Sequence, residues 1–152
     1  MGTISGTFHQ LSDAQGAVEE LMANGWTQEA ISIVTPRAHS SLAVKDAEKG
    51  AVIGGLAGLF LGLSEVAVPG VGLVLVGGWI AMTLLGAGMG GVAGGLGGML
   101  AEAGMSHAAA APLAERVQSG ETLVSVRTEA SREPFVRAIL SLHHAVHIRD
   151  DA

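Results

Sequence analysis

The chain has 152 residues, no cysteine, a formal net charge of −6 and only 14% charged residues, where an ordinary soluble domain has about 25%. The absence of cysteine excludes disulfides, thiolate metal ligands and a cysteine nucleophile, and the negative charge argues against a nucleic-acid partner. The shortage of charge is concentrated in residues 50–104, which contain most of the 23 glycines and only two charged side chains, Glu65 and Glu102.

Residues 1–36 are predicted to form a β-α-β unit. Thr3–Phe8 alternates weakly between apolar and polar residues, as a short strand does. A helix-start signal at Ser12 precedes apolar residues at helical spacing, and Asn24-Gly25 is a typical helix end. Ile31–Thr35 then has the alternation of a second strand, which Pro36 ends.

Residues 37–49 are predicted to be a linker, and residues 50–104 a helical hairpin. Ala51–Val68 contains one charge and Val71–Ala101 contains none, and a helix needs about 20 apolar residues to cross the hydrocarbon core. Pro69-Gly70 is a turn signal between these two arms. Two crossings return the chain to its starting side, which allows the flanking parts to join in one sheet.

Glycine recurs at every fourth position in both arms of the predicted hairpin. Because residues four apart share one face of a helix, each arm presents a row of glycines, although glycine costs about 1 kcal/mol in a helix interior. In lipid, such rows allow two helix backbones to approach closely. The pattern predicts a helix-packing and oligomerisation surface, and it leaves open whether the partner is the other arm or a second copy. The residues are Gly50, Gly54, Gly58, Gly62, Gly86, Gly90, Gly94 and Gly98.

Residues 105–152 are predicted to form a second half with the order α-β-α-β. A helix over residues 108–118 is followed by a strand at Glu121–Arg127, a helix at Ser131–Leu142 and a last strand at Ala145–Ile148. Two β-α-β units joined in one sheet make a ferredoxin-like α+β fold. The predicted architecture is therefore a ferredoxin-like fold whose halves are split by the glycine-rich hairpin.

Three features of the sequence are candidates for chemical sites. Residues 86–91 match the GxGxxG dinucleotide pattern, but the acidic residue needed about 20 positions later in a β-α-β unit is missing. Glu65 is an ionisable residue in an apolar arm, a functional hypothesis by default, although solvation at the hairpin tip explains it. His143, His144 and His147 form a cluster in which His143 and His147 would share a helix face and could bind a metal, but a helix end near Leu142 favours surface histidines. No catalytic, cofactor or metal residue is therefore expected.

Four stretches resemble one bacterial family. They are the FHQLSDAQGAVEEL run at Phe8–Leu21, the turn at Val68–Gly72, the strand at Gly120–Val126 and the end at His144–Ile148. In this order they resemble the general stress proteins related to heat-induced stress protein YflT, in the variants with a glycine-zipper hairpin. The resemblance covers nearly the whole chain. It implies a stress-associated bacterial protein at the membrane, and it carries over no established enzymatic activity and no catalytic residues.

The expected function is that of a non-enzymatic, membrane-associated stress or scaffold protein that forms homo-oligomers through its glycine rows. The basic residues Arg37, Lys45 and Lys49 precede the first arm, so the positive-inside rule places the α+β domain on the cytoplasmic side. The alternative is a soluble self-assembling particle whose apolar interior holds lipid or quinone. A third class, an enzyme or small-ligand sensor, rests on fold analogy alone.

Overall fold

The computed structural model describes residues 1–36, 64–68, 72–87 and 95–151. The described elements combine helices with one sheet, which confirms the predicted α+β class. Each element of the two flanking parts begins within two residues of its predicted start. In chain order the elements are β1 (Gly2–Phe8), α1 (Leu11–Ala23), β2 (Ile31–Pro36), β3 (Ser64–Val68), β4 (Gly72–Gly78), α2 (Trp79–Ala87), α3 (Gly95–Glu102), α4 (His107–Gln118), β5 (Thr122–Thr128), a 3-10 turn (Ala130–Arg132), α5 (Glu133–Leu142) and β6 (Val146–Asp151).

The six strands form one antiparallel sheet in the order β3-β4-β2-β5-β1-β6. β1 and β2, the two strands of the first β-α-β unit, are not neighbours, because β5 lies between them and pairs with both. β6 pairs with the other side of β1. Strands from the beginning and the end of the described chain therefore alternate over the β2-β5-β1-β6 side of the sheet.

Residues 64–78, predicted to belong to the helical hairpin, contain two paired strands instead. β3 pairs antiparallel with β4, with Val68 opposite Gly72, and β4 pairs on its other side with β2. The chain thus reverses between Val68 and Gly72, where a turn was predicted; Pro69 and Gly70 themselves lie outside the described residues. The helical interpretation rested on the lack of charge, which a buried strand shares with an apolar helix.

The sheet is covered by helices on both faces, and each face has its own core. α1 and α5 cover one face, while α2, α3 and α4 cover the other. The apolar residues of 72–105 therefore supply most of the second core. Its buried strand residues include Val34, Val66, Val68, Val74, Val76 and Leu123, and its helical residues include Leu96, Met99 and Leu113. The first core includes Ile4, Phe8, Leu21, Ile33, Val126 and Leu140.

The helices near the glycine-rich region are short. α2 has 9 residues and α3 has 8. Within the described ranges, none of the helices has the length and apolar composition needed to cross a bilayer.

Candidate functional site

A cavity of about 470 Å³ lies at the end of the sheet where β1 begins and β5 and β6 end. Thr3 pairs with Arg127 on one side and with Asp151 on the other, so three strands bring their ends together here. The loop from α3 to α4, with Gly104 and Ser106, forms the opposite wall. The cavity thus lies between the sheet and the helical layer of the second core.

Arg127 supplies a positively charged side chain to this cavity. Its neighbour Val126 faces the first core, so the alternation of a strand directs Arg127 to the opposite face. The guanidinium carbon lies 4.0 Å from the ring centroid of Trp79, and the buried indole N–H donates to the carbonyl of Ser125 at 3.3 Å. Within the described part of the chain, no carboxylate forms an ion pair with Arg127.

The negative charge of the cavity, Asp151, has a partner. Its Oδ2 accepts a hydrogen bond from the backbone N–H of Ser106 at 2.9 Å. The Ser106 hydroxyl in turn accepts a hydrogen bond from the N–H of Ala109 at 3.3 Å, so Ser106 is the N-cap of α4. A carboxylate is stabilised at a helix N-terminus because the helix dipole is positive there. The cavity therefore holds one satisfied carboxylate and one guanidinium whose described contact is an aromatic ring.

A second charged group lies at the other end of β5. Glu121 is only 5% exposed, and its Oε1 lies 3.5 Å from Nδ1 of His9 and 3.6 Å from Nη1 of Arg116. Its Oε2 is buried and has no hydrogen-bond partner among the described residues. Buried polar atoms are nearly always paired, so this oxygen is an acceptor available to a donor near the end of β2.

The predicted glycine rows are described only in part. Gly86 belongs to α2 and Gly98 to α3, and residues 88–94 between these helices lie outside the described part of the chain. Gly50, Gly54, Gly58, Gly62, Gly90 and Gly94 lie outside the described residues. Beside Gly98, a Cβ built on Gly97 would lie 3.8 Å from the Cβ of Ala114. Small residues thus bring α3 close to α4 within one chain.

The histidine cluster is divided between two elements. Nε2 of His143 lies 2.5 Å from Oε2 of Glu20, and Nδ1 of His144 lies 3.8 Å from Oδ1 of Asp13. Both histidines therefore contact α1, whereas His147 is exposed in β6. Across the ranges that the structure describes, no group of three or more histidine and acidic side chains is arranged to hold a metal.

Glu65 does not lie where the sequence predicted it, and the GxGxxG match at residues 86–91 does not begin after a strand. Glu65 lies in β3, with its backbone opposite Leu75 of β4, and not at the tip of a helical hairpin. Gly86 and Ala87 are the last residues of α2, whereas the dinucleotide pattern needs its first glycine directly after a strand.

Sequence reasoning missed the Arg127 cavity. The available signal was the alternation of β5, in which Leu123, Ser125 and Arg127 share one face. An arginine at a position where the pattern predicts a covered face indicates a polar site beneath the helices. Its partners in the cavity come from distant parts of the chain, and no local spacing connects them. Comparison with known protein families, with curated proteins and with solved structures found no match for this chain.

Proposed function

We propose that the protein is a non-enzymatic, membrane-associated scaffold that self-associates through the glycine row of residues 50–62. The observation that carries this proposal is the segment Gly50–Leu63, which has no charged residue and has glycine at every fourth position. Small residues at this spacing are typical of helices that pack closely in lipid. The stress-related role comes from the family resemblance alone.

The strand order restricts how residues 37–63, which connect β2 to β3, can be arranged at a membrane. β2 and β3 are both antiparallel to β4, so they are parallel to each other. Pro36 lies opposite Val74 and Ser64 opposite Val76, so the end of β2 and the start of β3 are two strand spacings, about 10 Å, apart across the sheet. Because the two strands are parallel, the chain leaves at one end of the pair and re-enters at the other.

This geometry favours a segment that lies in the membrane surface. A single crossing would place β2 and β3 on opposite sides of the bilayer, although both belong to one sheet. Two crossings need about 20 residues each, and residues 37–63 number 27. We therefore assign the segment an interfacial position, with the α+β domain on the cytoplasmic side.

The surroundings of the segment support the same assignment. α2 starts at Trp79, at the end of the sheet where β3 also starts. α2 contains no charged residue, and its Met82 is 62% exposed. Arg37, Lys45 and Lys49 precede the apolar segment, and basic residues next to an apolar segment attract anionic headgroups.

We also infer that β6-β1-β5-β2, with α1 and α5, make a ferredoxin-like unit. The support is that α1 and α5 each connect two strands separated by one antiparallel neighbour, as in that fold. β3, β4 and the layer of α2, α3 and α4 then belong to the inserted region, together with the glycine row.

Vesicle flotation of the whole chain tests the membrane part of the proposal. With vesicles containing anionic lipid, the protein is expected to float, and Phe60→Asp is expected to reduce the floating fraction at least tenfold, since a charge in the apolar face opposes insertion. Leu142→Asp is the matched control, because Leu142 is an exposed apolar residue on a different helix, at 67%. Wild-type protein that stays at the bottom of the gradient as a large particle supports the soluble assembly with an apolar interior instead.

Cross-linking of the floated protein tests the self-association part. Gly54→Leu with Gly58→Leu fills the glycine row and is expected to abolish cross-linked oligomers while membrane binding persists. Gly54→Ala with Gly58→Ala is the control, because alanine keeps the row small and still allows close packing. Equal cross-linking in the leucine and alanine pairs would exclude the glycine row as the contact surface.

A further inference from the structure

We propose that the cavity beside Arg127 binds a small monocarboxylate with a short apolar body. Its volume of about 470 Å³ lies in the range of small-molecule sites, roughly 300–1,000 Å³. It contains a guanidinium that forms no ion pair with the described carboxylates. This site is independent of the proposed membrane role and would remain if that role were disproved.

Arg127 is held in a position suited to a carboxylate. The guanidinium carbon lies over the Trp79 ring, 4.0 Å from its centroid, and no described carboxylate occupies the N–H donors. The backbone at Gly104 lies beside it, since a Cβ built on that glycine would be 3.8 Å from Nη2 of Arg127. The planar fork of N–H donors matches the two oxygens of a carboxylate. Because the side chain is already fixed, binding orders little that was free.

Asp151 selects the charge of the ligand. It lines the same cavity and is held there by the backbone N–H of Ser106. A second negative charge on the ligand would be repelled by this carboxylate. Asp151 would not move away to relieve the repulsion, because it would lose its hydrogen bond from Ser106. The pair of charges therefore favours a monoanion over a dianion such as hydrogen phosphate.

The remaining walls determine the body of the ligand. Ala101 and Met105 are apolar, and Met105 is 4% exposed. The Ser106 hydroxyl is already used at the start of α4. With no other charged side chain on the described walls than Arg127 and Asp151, a ligand gains most by placing a short hydrocarbon group against the methionine and alanine. Butyrate and benzoate have this chemistry.

Calorimetric titration of the whole chain tests the ligand class. Butyrate or benzoate is expected to bind saturably, and butyramide and inorganic phosphate at least tenfold more weakly, in a buffer free of carboxylates. Butyramide has the same body without the charge, so equal binding of butyramide would overturn the role of Arg127. Equal or tighter binding of phosphate would overturn the selection by Asp151, and no saturable binding of either monocarboxylate would overturn the site.

Variants locate the binding. Arg127→Gln is expected to weaken butyrate binding at least tenfold. Arg132→Gln is the matched control, because Arg132 also lies over a tryptophan, 3.7 Å from the ring of Trp26, but does not line the cavity. Ala101→Leu fills the cavity and leaves the arginine in place, so it is expected to weaken binding tenfold even if Arg127→Gln fails to fold. Wild-type affinity in the Ala101→Leu variant, or an equal loss in Arg132→Gln, would contradict the proposed position.

Discussion

Gly16 and His143 illustrate how single residues join distant elements of this molecule. Gly16 lies inside α1, where glycine is unfavourable, yet a Cβ there would lie 2.8 Å from Nδ1 of His143. The glycine allows the imidazole to approach the helix and to reach Glu20 one turn later, at 2.5 Å. His143 ends α5, so this contact fastens the end of α5 to α1 on one face of the sheet.

A double-mutant cycle measures this contact. In the His143→Ala background, Gly16→Ala is expected to raise the free energy of unfolding by about 1 kcal/mol, the helix propensity difference. In the wild-type background the same change displaces the imidazole, and we expect no gain or a loss. Urea unfolding of the four proteins gives the coupling. The same change in unfolding free energy in both backgrounds would show that the imidazole does not depend on Gly16.

Residue roles of this kind were largely beyond the sequence. The adjacent His143 and His144, and His147 at a four-residue spacing, indicated either a metal site or surface side chains. The partner of His143 is 123 residues away in the chain, and only the packing of α5 against α1 brings them together. The Arg127 cavity has the same origin, because its walls come from β1, β5, β6 and the loop before α4.

At the level of elements, the sequence predicted the flanking strands and helices but not the strand pair β3–β4. The flanking strands and helices were predictable because their periodicity and end signals agree. Residues 64–78 have no charge after Glu65, and they fall within the two apolar arms, 51–68 and 71–101, whose lengths suggested membrane helices. Their valines, however, alternate: Val66, Val68, Val74 and Val76 are all buried in the second core. β-branched residues at a period of two are typical of strands, and tertiary pairing with β2 decides the outcome.

Neighbouring positions of β4 provide a test of this alternation. Val74 is fully buried under α2, α3 and α4, whereas Leu75 faces the other side of the sheet and is half-buried. Val74→Ala is expected to lower the free energy of unfolding by about 2 kcal/mol, since it leaves a cavity in the core. Leu75→Ala removes a larger side chain but is expected to cost less. Chemical denaturation compares the two, and a greater loss at Leu75 would contradict the strand register.

At the scale of the whole molecule, the sheet connects all described parts of the chain. Residues 37–63 connect the end of β2 to the start of β3, and only β4 separates these two strands in the sheet. The sequence indicated correctly that both ends of the apolar region must return to one sheet. The sequence predicted that two helical arms bring the chain back, because a long stretch without charge is as typical of apolar helices as of the buried strands at residues 64–78.

Cysteine labelling tests the placement of these ends. The chain has no cysteine, so Ser41→Cys and Ser64→Cys each introduce a single thiol with little change in size. On sealed vesicles with protein added outside, the proposed interfacial position keeps both ends of residues 37–63 on the outer side, so both positions are expected to react with a membrane-impermeant maleimide. Labelling at one position and protection at the other until detergent is added would indicate a crossing.

The position of β1 between β5 and β6 has a consequence for biosynthesis. β1 is made before the other described strands, and both of its partners, β5 and β6, lie in residues 122–151. At about 5–20 residues per second, it waits roughly ten seconds on the ribosome with both edges unpaired, and such edges are templates for aggregation. β2, β3 and β4 can pair with one another earlier. A chain truncated before β5 would therefore lose its N-terminal strand as well, and nascent-chain chaperones are expected to bind residues 1–8 for most of translation.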